Sequence, residues 1–214
     1  MAYKIGIFNL EKGSGKTTTA VYLAQSFATL NKRVLLVDLD LNSGLKKYLS
    51  IRSLDFTVEI RKAESLWKYK TDYETTDNDQ AEIIIFDFAG VDLIREKKYL
   101  SYIDSVIVPV EAEFYGLDNL TATFKILNEI KDLKIEGLLL TKVDQNNTLY
   151  PSLKSFIEEN FSGMLLNSTI LRNYYLALPH FNIENLNKSI PNFGFADYLK
   201  LANEILEKNV DGKI

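Results

Sequence analysis

The chain is predicted to be an α/β protein, a doubly wound, mostly parallel sheet flanked by helices. Three observations carry this reading. Short, near-continuous apolar runs of strand length recur along the chain, the pattern of strands covered on both faces. Helical repeats of apolar residues lie between those runs. A glycine-bearing turn also joins the first run to the first helix, where a tight strand-to-helix connection is needed.

In chain order, residues 4–10 form the first run, and residues 17–30 carry Ala20, Val21, Ala24, Phe27 and Ala28 on one helical stripe. Residues 33–37 give the second strand. The stretch 50–80 reads as an irregular, partly acidic insertion in which residues 59–70 have the pattern of a short helix. Its acids Asp72, Glu74, Asp77 and Asp79 read as a solvated loop rather than a metal site. Residues 82–86, 105–110 and 137–141 supply further strands, and 164–170 one more, softened by Asn167 and Ser168. Helical repeats occupy 117–130, 148–159 and 195–206. Residues 207–214 read as a tail that frays. Residues 1–214 are expected to form one domain, since a chain of 214 residues suits one well-buried core better than two.

Composition removes several classes of function. There is no cysteine, which excludes disulfides, thiolate-held zinc, iron–sulfur clusters and thiol nucleophiles. The formal charge of −4 means that contact with DNA must come from a local patch or an assembled surface. Arg172, Lys188, Lys200 and Lys208 are candidates for it, as are Lys46, Lys47, Arg52, Arg61, Lys62, Lys68 and Lys70, although each taken singly reads as a solvated surface residue. No apolar run reaches bilayer-spanning length, and "MAYKIGIFNL" is too strand-like for a signal peptide, so a cytoplasmic chain with no stable membrane anchor is expected.

The stretch "GIFNLEKGSGKTTTA" is the chemical centre of the sequence. Gly13, Ser14 and Gly15 let the backbone wrap a polyanion with its N–H groups turned inward, and the helix behind them adds free donors and partial positive charge. Lys16 can reach the outer phosphates, and the Thr17 hydroxyl can ligate magnesium. Leu10 stands where the general phosphate-loop pattern has a glycine. Asp38 and Asp40 follow the second strand two residues apart, a spacing that turns both to one side in extended chain. Asp38 is expected to steady magnesium, Asp40 to orient or deprotonate water, and Asp87, at the end of "EIIIFDF", to be a second magnesium-sensing acid. Any one strand-end aspartate could instead cap a turn; three beside a phosphate loop favour a magnesium–nucleotide site. In such folds ligands sit beyond the carboxyl ends of the strands, so these groups share one edge.

The chain resembles the ParA family of deviant-Walker ATPases, relatives of the cell-division positioning protein MinD and of plasmid and chromosome partition ATPases. The resemblance runs over nearly the whole chain, through "EKGSGKTTTAVYLAQSFATLNKRVLLVDLDLN", "AEIIIFDFAG", "YIDSVIVPVEAEFYGLDNL", "GLLLTKVDQNNTLY", "STILRNYYLALPH" and "ADYLKLANEIL". It implies an ATPase that forms a homodimer on binding ATP, binds nonspecific DNA or, in some relatives, a membrane, and is stimulated by a small ParB-like partner. It assigns Gly13, Ser14, Gly15 and Thr18 to the phosphates, Lys16 to the outer phosphates, Thr17 to magnesium, Asp40 to the water and Asp87 to the switch. It places the adenine pocket near Thr141, Asp144, Leu171 and Arg172.

The chain departs from the family at defined places. Glu11 stands at the signature lysine that reaches across the dimer, and Lys12 replaces the first glycine. A carboxylate near a triphosphate is repulsive, the more so at a low-dielectric interface. Either Lys12 supplies the missing charge, or no lysine crosses, or one arises elsewhere on the interface. Leu41, Asn42, Ser43 and Gly44 replace the usual proline-bearing loop, and "FDFAG" replaces the usual proline-bearing switch. The resulting expectation is a partition- or positioning-type ATPase with slow hydrolysis. The alternatives are a nucleotide-dependent binding module with little turnover, and a ligase- or synthase-type enzyme on the same scaffold. No spare histidine or cysteine constellation supports the last: the lone His180 reads as a loop residue.

Overall fold

In the computed structural model, seven strands among the described residues form one sheet in the order β3-β2-β4-β1-β5-β6-β7, and every neighbouring pair is parallel. The strands are β1 (Tyr3–Ile7), β2 (Val34–Asp38), β3 (Val58–Lys62), β4 (Ile83–Asp87), β5 (Ser105–Glu111), β6 (Lys134–Val143) and β7 (Leu165–Leu171). The helices are α1 (Lys16–Thr29), α2 (Leu93–Leu100), α3 (Leu120–Asn128), α4 (Tyr150–Asn160) and α5 (Phe193–Lys208), with a 3-10 turn at Phe114–Leu117. The structure describes residues 2–40, 45, 58–62, 81–90, 92–173, 176 and 193–209.

The apolar runs are near-continuous because both faces of the sheet are covered. Along β4, Ile83 and Ile85 point into one core with α1 and α5, while Ile84 and Phe86 point into the other with α2, α3 and α4. Alternate residues of one strand thus feed two separate cores. The chain steps to one side of β1 for β2, β3 and β4 and to the other for β5, β6 and β7. That reversal of order puts the loop leaving β1 at the place where open α/β sheets bind ligands.

The structure corrects the sequence reading in places. Val58–Lys62 is an edge strand paired with β2, where a short helix over 59–70 was expected. Val-Glu-Ile-Arg-Lys alternates apolar and charged residues with a period of two, and that period prevails over helix propensity. Residues 63–70, the acids of 72–79, His180 and the basic residues Lys46, Lys47, Arg52, Lys68, Lys70 and Lys188 lie outside the described residues. The helix expected over 117–130 is split: the 3-10 turn comes first and α3 starts at Leu120. At the turn, Gly116 packs so closely that a Cβ would meet the Glu111 carbonyl oxygen at 2.5 Å. Helix α2 was not anticipated; Asp92 caps it by accepting the Arg95 N–H at 3.2 Å. Helix α5 continues to Lys208, two residues into the segment expected to fray. Among the described residues no helix is long and apolar enough to cross a membrane.

Candidate functional site

The loop leaving β1 enters α1 through two glycines with positive φ, Gly13 at 82° and Gly15 at 95°. Gly15 is the N-cap of α1, and no side chain caps the helix, the kind of helix start at which an anion can bind. A Cβ on Gly13 would meet nothing within 4 Å, so the loop opens outward there. Lys16 heads α1 yet is only 8% exposed, and its Nζ donates to the Glu11 carbonyl oxygen at 2.8 Å. Burial holds its ammonium below the usual lysine range, against the pull of Asp87, Glu96 and Glu11. Thr17 and Thr18 are partly buried on the same turn. Ser14 is buried, and its hydroxyl has no hydrogen-bond partner among the described residues.

The strand-tip acids converge beside this loop. Asp38 and Asp87 are Cα partners across β2 and β4, and Asp87 is also the partner of Ile7, the last residue of β1. Both are buried. Burial pushes the Asp87 carboxyl up to about 7, helped by the charges of Asp38 and Asp40, while the nearby Thr17 hydroxyl and Lys16 ammonium oppose the shift. Neither Asp87 oxygen has a partner at hydrogen-bond distance among the described residues. Two in-register carboxylates with the Thr17 hydroxyl nearby are oxygen groups of the kind that can hold a small divalent cation. The two-residue spacing of Asp38 and Asp40 acts differently from the extended geometry expected. β2 ends at Asp38, and the Asp40 N–H turns back to donate to Asp38 Oδ1 at 2.9 Å. Asp40 is thus set at the partly buried rim rather than alongside Asp38.

Thr141, Asp144 and Arg172, three of the residues expected around adenine, make different contacts. Thr141, at the end of β6, is buried, and its hydroxyl donates to the Ser14 carbonyl oxygen at 2.9 Å, bracing the loop from beneath. Asp144 is exposed and accepts the Asn146 N–H in a local turn. Arg172 is exposed and approaches Glu111 at 3.7 Å and Glu113 at 3.6 Å. Glu111 is buried at the tip of β5, where Lys142 reaches it at 2.7 Å from a backbone with φ 53°. A lysine in that left-handed region costs conformational energy, and here it turns the side chain onto Glu111.

A second brace ties the loop to α3. Asn9 is fully buried; it donates to the Pro109 carbonyl and accepts from the Glu11 N–H and the Thr123 hydroxyl. The Glu11 carboxylate accepts from the Asn119 side chain at the N-cap of α3. The Glu11 carboxylate is therefore held toward α3. Lys12, next to it, is exposed.

The family model described as the CobQ/CobB/MinD/ParA nucleotide binding domain matches residues 5–177. The chain belongs to this nucleotide-binding family. The chromosome partitioning protein ParA of Myxococcus xanthus is 26% identical over 249 residues, covering 96% of this chain and 88% of that protein. Cobyrinic acid a,c-diamide synthase of Mycobacterium smegmatis, solved with ADP and magnesium, superposes with a TM-score of 0.74 at 17% identity, covering 100% of this chain and 98% of that one. The septum site-determining protein MinD of Pyrococcus horikoshii, complexed with Mg-ADP, gives 0.71 at 17% identity over the whole of both chains. The fold is that of the ParA/MinD P-loop ATPases.

Within this ParA/MinD framework, several residues escaped the sequence reading. Asn9, Thr123 and Asn119 brace the loop, but a buried asparagine and a helix-start threonine carry no signal of their own. Glu111 was legible in principle, since "IVPVE" ends a strand with a carboxylate in the same way as "IIIFD". Glu96 lies on α2, which was not anticipated at all.

Proposed function

We propose that the chain binds MgATP and changes its assembly state with the bound nucleotide, as a partition- or positioning-type ATPase. The observation that carries this reading is the buried, in-register pair Asp38 and Asp87 standing beside an uncapped helix start and the buried Lys16. Gly13, Ser14, Gly15, Lys16, Thr17 and Thr18 would cradle the phosphates. Thr17, Asp38 and Asp87 would hold Mg2+, which when bound neutralises charge on the outer phosphates. Asp40 at the rim is suited to orienting the attacking water. Asp144 and Arg172 remain at the edge where a base would lie, with Thr141 beneath the loop. The similarity to a chromosome partitioning protein supports a cargo-placing role.

In this reading the ATP form is a homodimer in the cytoplasm, with the exposed Lys12 available to reach the partner's nucleotide. A small ParB-like protein would stimulate slow hydrolysis, and nonspecific DNA would be the matrix, giving salt-sensitive retention. A second reading, a nucleotide-dependent binding module with little turnover, is favoured by the Glu11–Asn119 contact at the signature position. ATP turnover measured with and without DNA separates the two. The deciding experiment is light scattering with magnesium plus ADP, ATP or a nonhydrolysable analogue, run on the parent and on Lys16→Ala. A rise in mass with ATP, lost in the variant, is expected. A Lys16→Ala chain that binds ATP as well as the parent overturns the proposal.

A further inference from the structure

Helix α2 brings a carboxylate into the candidate site that the sequence did not announce. Glu96 is 4% exposed, and its Oε1 accepts the Gly90 N–H at 2.7 Å. Gly90 lies three residues past Asp87 on the connection to α2, with φ 77°. It is pressed against the phosphate loop: a Cβ placed there would stand 2.6 Å from the Asn9 carbonyl oxygen and 3.2 Å from Lys16 Nζ. Two donors at this end of the loop are thus engaged by the protein's own acceptors, Lys16 by the Glu11 carbonyl and Gly90 by Glu96.

The described residues around Gly90 include well-held ones. Phe88 is 1% exposed, packs edge-on against Phe8 at 5.5 Å, and donates its N–H to the Ile7 carbonyl at 3.3 Å. Asp87 before it is locked in β4, and Glu96 after it is fixed on a capped helix. Gly90, with no side chain, can change its backbone dihedrals at little cost.

We infer that Glu96 is a positioning residue that sets the preference for triphosphate over diphosphate by holding the Gly90 N–H. This rests on the reading of the loop as a nucleotide cradle. An outermost phosphate gripped by Lys16 comes against the Gly90 peptide and places a second anion beside a buried carboxylate. In a low-dielectric site the two anions repel strongly. Binding of the third phosphate therefore requires the Gly90 N–H to pass from Glu96 to the phosphate, whereas a diphosphate, one group shorter, leaves the contact in place. Part of the third phosphate's binding energy is spent on releasing Gly90, and the release is the signal that distinguishes the two nucleotides.

The test compares binding of MgADP and of a magnesium-loaded nonhydrolysable ATP analogue to the parent and to Glu96→Gln, which keeps an acceptor but removes the charge. The variant is expected to raise the triphosphate-to-diphosphate affinity ratio by about tenfold, the scale of one charge-assisted hydrogen bond, with ADP affinity nearly unchanged. In parallel, the Gly90 amide of the parent is followed by NMR and hydrogen exchange. It is expected to be protected in the free and ADP states, and to shift with the analogue as its acceptor changes from the Glu96 carboxylate to a phosphate oxygen. This second readout needs no variant, so a poorly folded Glu96→Gln leaves the inference open to refutation. Equal changes in both affinities, or a Gly90 amide indifferent to the third phosphate, overturns it while leaving nucleotide binding intact. A parent that binds neither nucleotide removes the cradle reading and this inference together.

Discussion

Asp38 and Asp87 face each other in register on neighbouring parallel strands, both buried, with Asp87 carrying two oxygens that no described residue satisfies at hydrogen-bond distance. The Asp87 carboxyl, pushed up to about 7 by burial, makes this a costly arrangement in the absence of a cation. The folded-state value lies above the ordinary aspartate value of about 3.9, so protonation favours the fold. Its contribution is complete below that ordinary value and is lost as pH rises to about 7. Asp87→Asn, neutral at every pH, is therefore expected to match the parent near pH 4 and to melt several degrees higher at pH 8 without divalent cations. Magnesium with nucleotide should stabilise the parent and not the variant. Calorimetry at the two pH values checks this, and an equal gap at both would refute it.

Thr141 holds the loop from below through the Ser14 carbonyl. Thr141→Val keeps the shape and removes the donor, leaving that carbonyl without its hydroxyl partner at a cost of about 1 kcal/mol. The expected result is a folded protein whose nucleotide affinity falls by roughly five- to tenfold, since a looser loop must be ordered on binding. Titration calorimetry against MgADP reads this directly. Unchanged affinity would mean that the brace does not shape the cradle.

Much of this was legible in the sequence for a physical reason. Strands buried on both faces read as solid apolar blocks, and "EIIIFDF" delivers its aspartate to the tip where the structure has it. The loop was legible because wrapping a polyanion demands glycines, and Gly13 and Gly15 do adopt positive φ. Contacts between elements far apart in the chain were not legible. Asn119 meets Glu11 across 108 residues and Thr141 meets Ser14 across 127, and no local period encodes either pairing. β3 was misread because an apolar-charged alternation of five residues is too short to outweigh the helix-like run that follows. Asp40 was placed on the assumption that extended chain continued past Asp38, but an aspartate side chain readily closes a turn on the N–H two residues on, and that turn ends the strand.

Lys12 is exposed, while the Glu11 carboxylate is tied to Asn119 and the Glu11 carbonyl to Lys16. If the charge that bridges an ATP dimer comes from this loop, Lys12 is the residue free to supply it. Lys12→Ala is expected to weaken the ATP-dependent dimer by at least about tenfold, the scale of a charge-assisted contact. Glu11→Ala is expected to leave it as strong or stronger. Light scattering across a protein dilution series measures both, and a Lys12→Ala chain that dimerises like the parent excludes this role.

At the far edge of the sheet, β7 turns backbone donors toward α5, and two carboxylates of that helix receive them. Glu204 accepts the N–H groups of Asn167 and Ser168 at 2.9 and 2.8 Å, and Asp197 accepts that of Leu171 at 3.1 Å. Partial burial alone would raise the Glu204 carboxyl, but the bonds from Ser168, the Asn167 N–H and Lys208 outweigh it and hold it below the usual glutamate range. A depressed value means that the contribution to stability is present above the ordinary glutamate value of about 4.3 and is lost as pH falls through the lowered folded-state value. Glu204→Gln keeps one acceptor oxygen and loses the charge, so it is expected to be less stable than the parent at pH 7 and to approach it near pH 3. Glu204→Ala removes both acceptors and leaves edge-strand donors unmatched, the condition that invites pairing with another chain. It should aggregate on heating at a lower temperature than Glu204→Gln. Urea titrations at the two pH values, with turbidity followed on heating, test the whole chain of reasoning. A Gln variant equally destabilised at both pH values would show that packing, and not the charged cap on β7, is what Glu204 contributes.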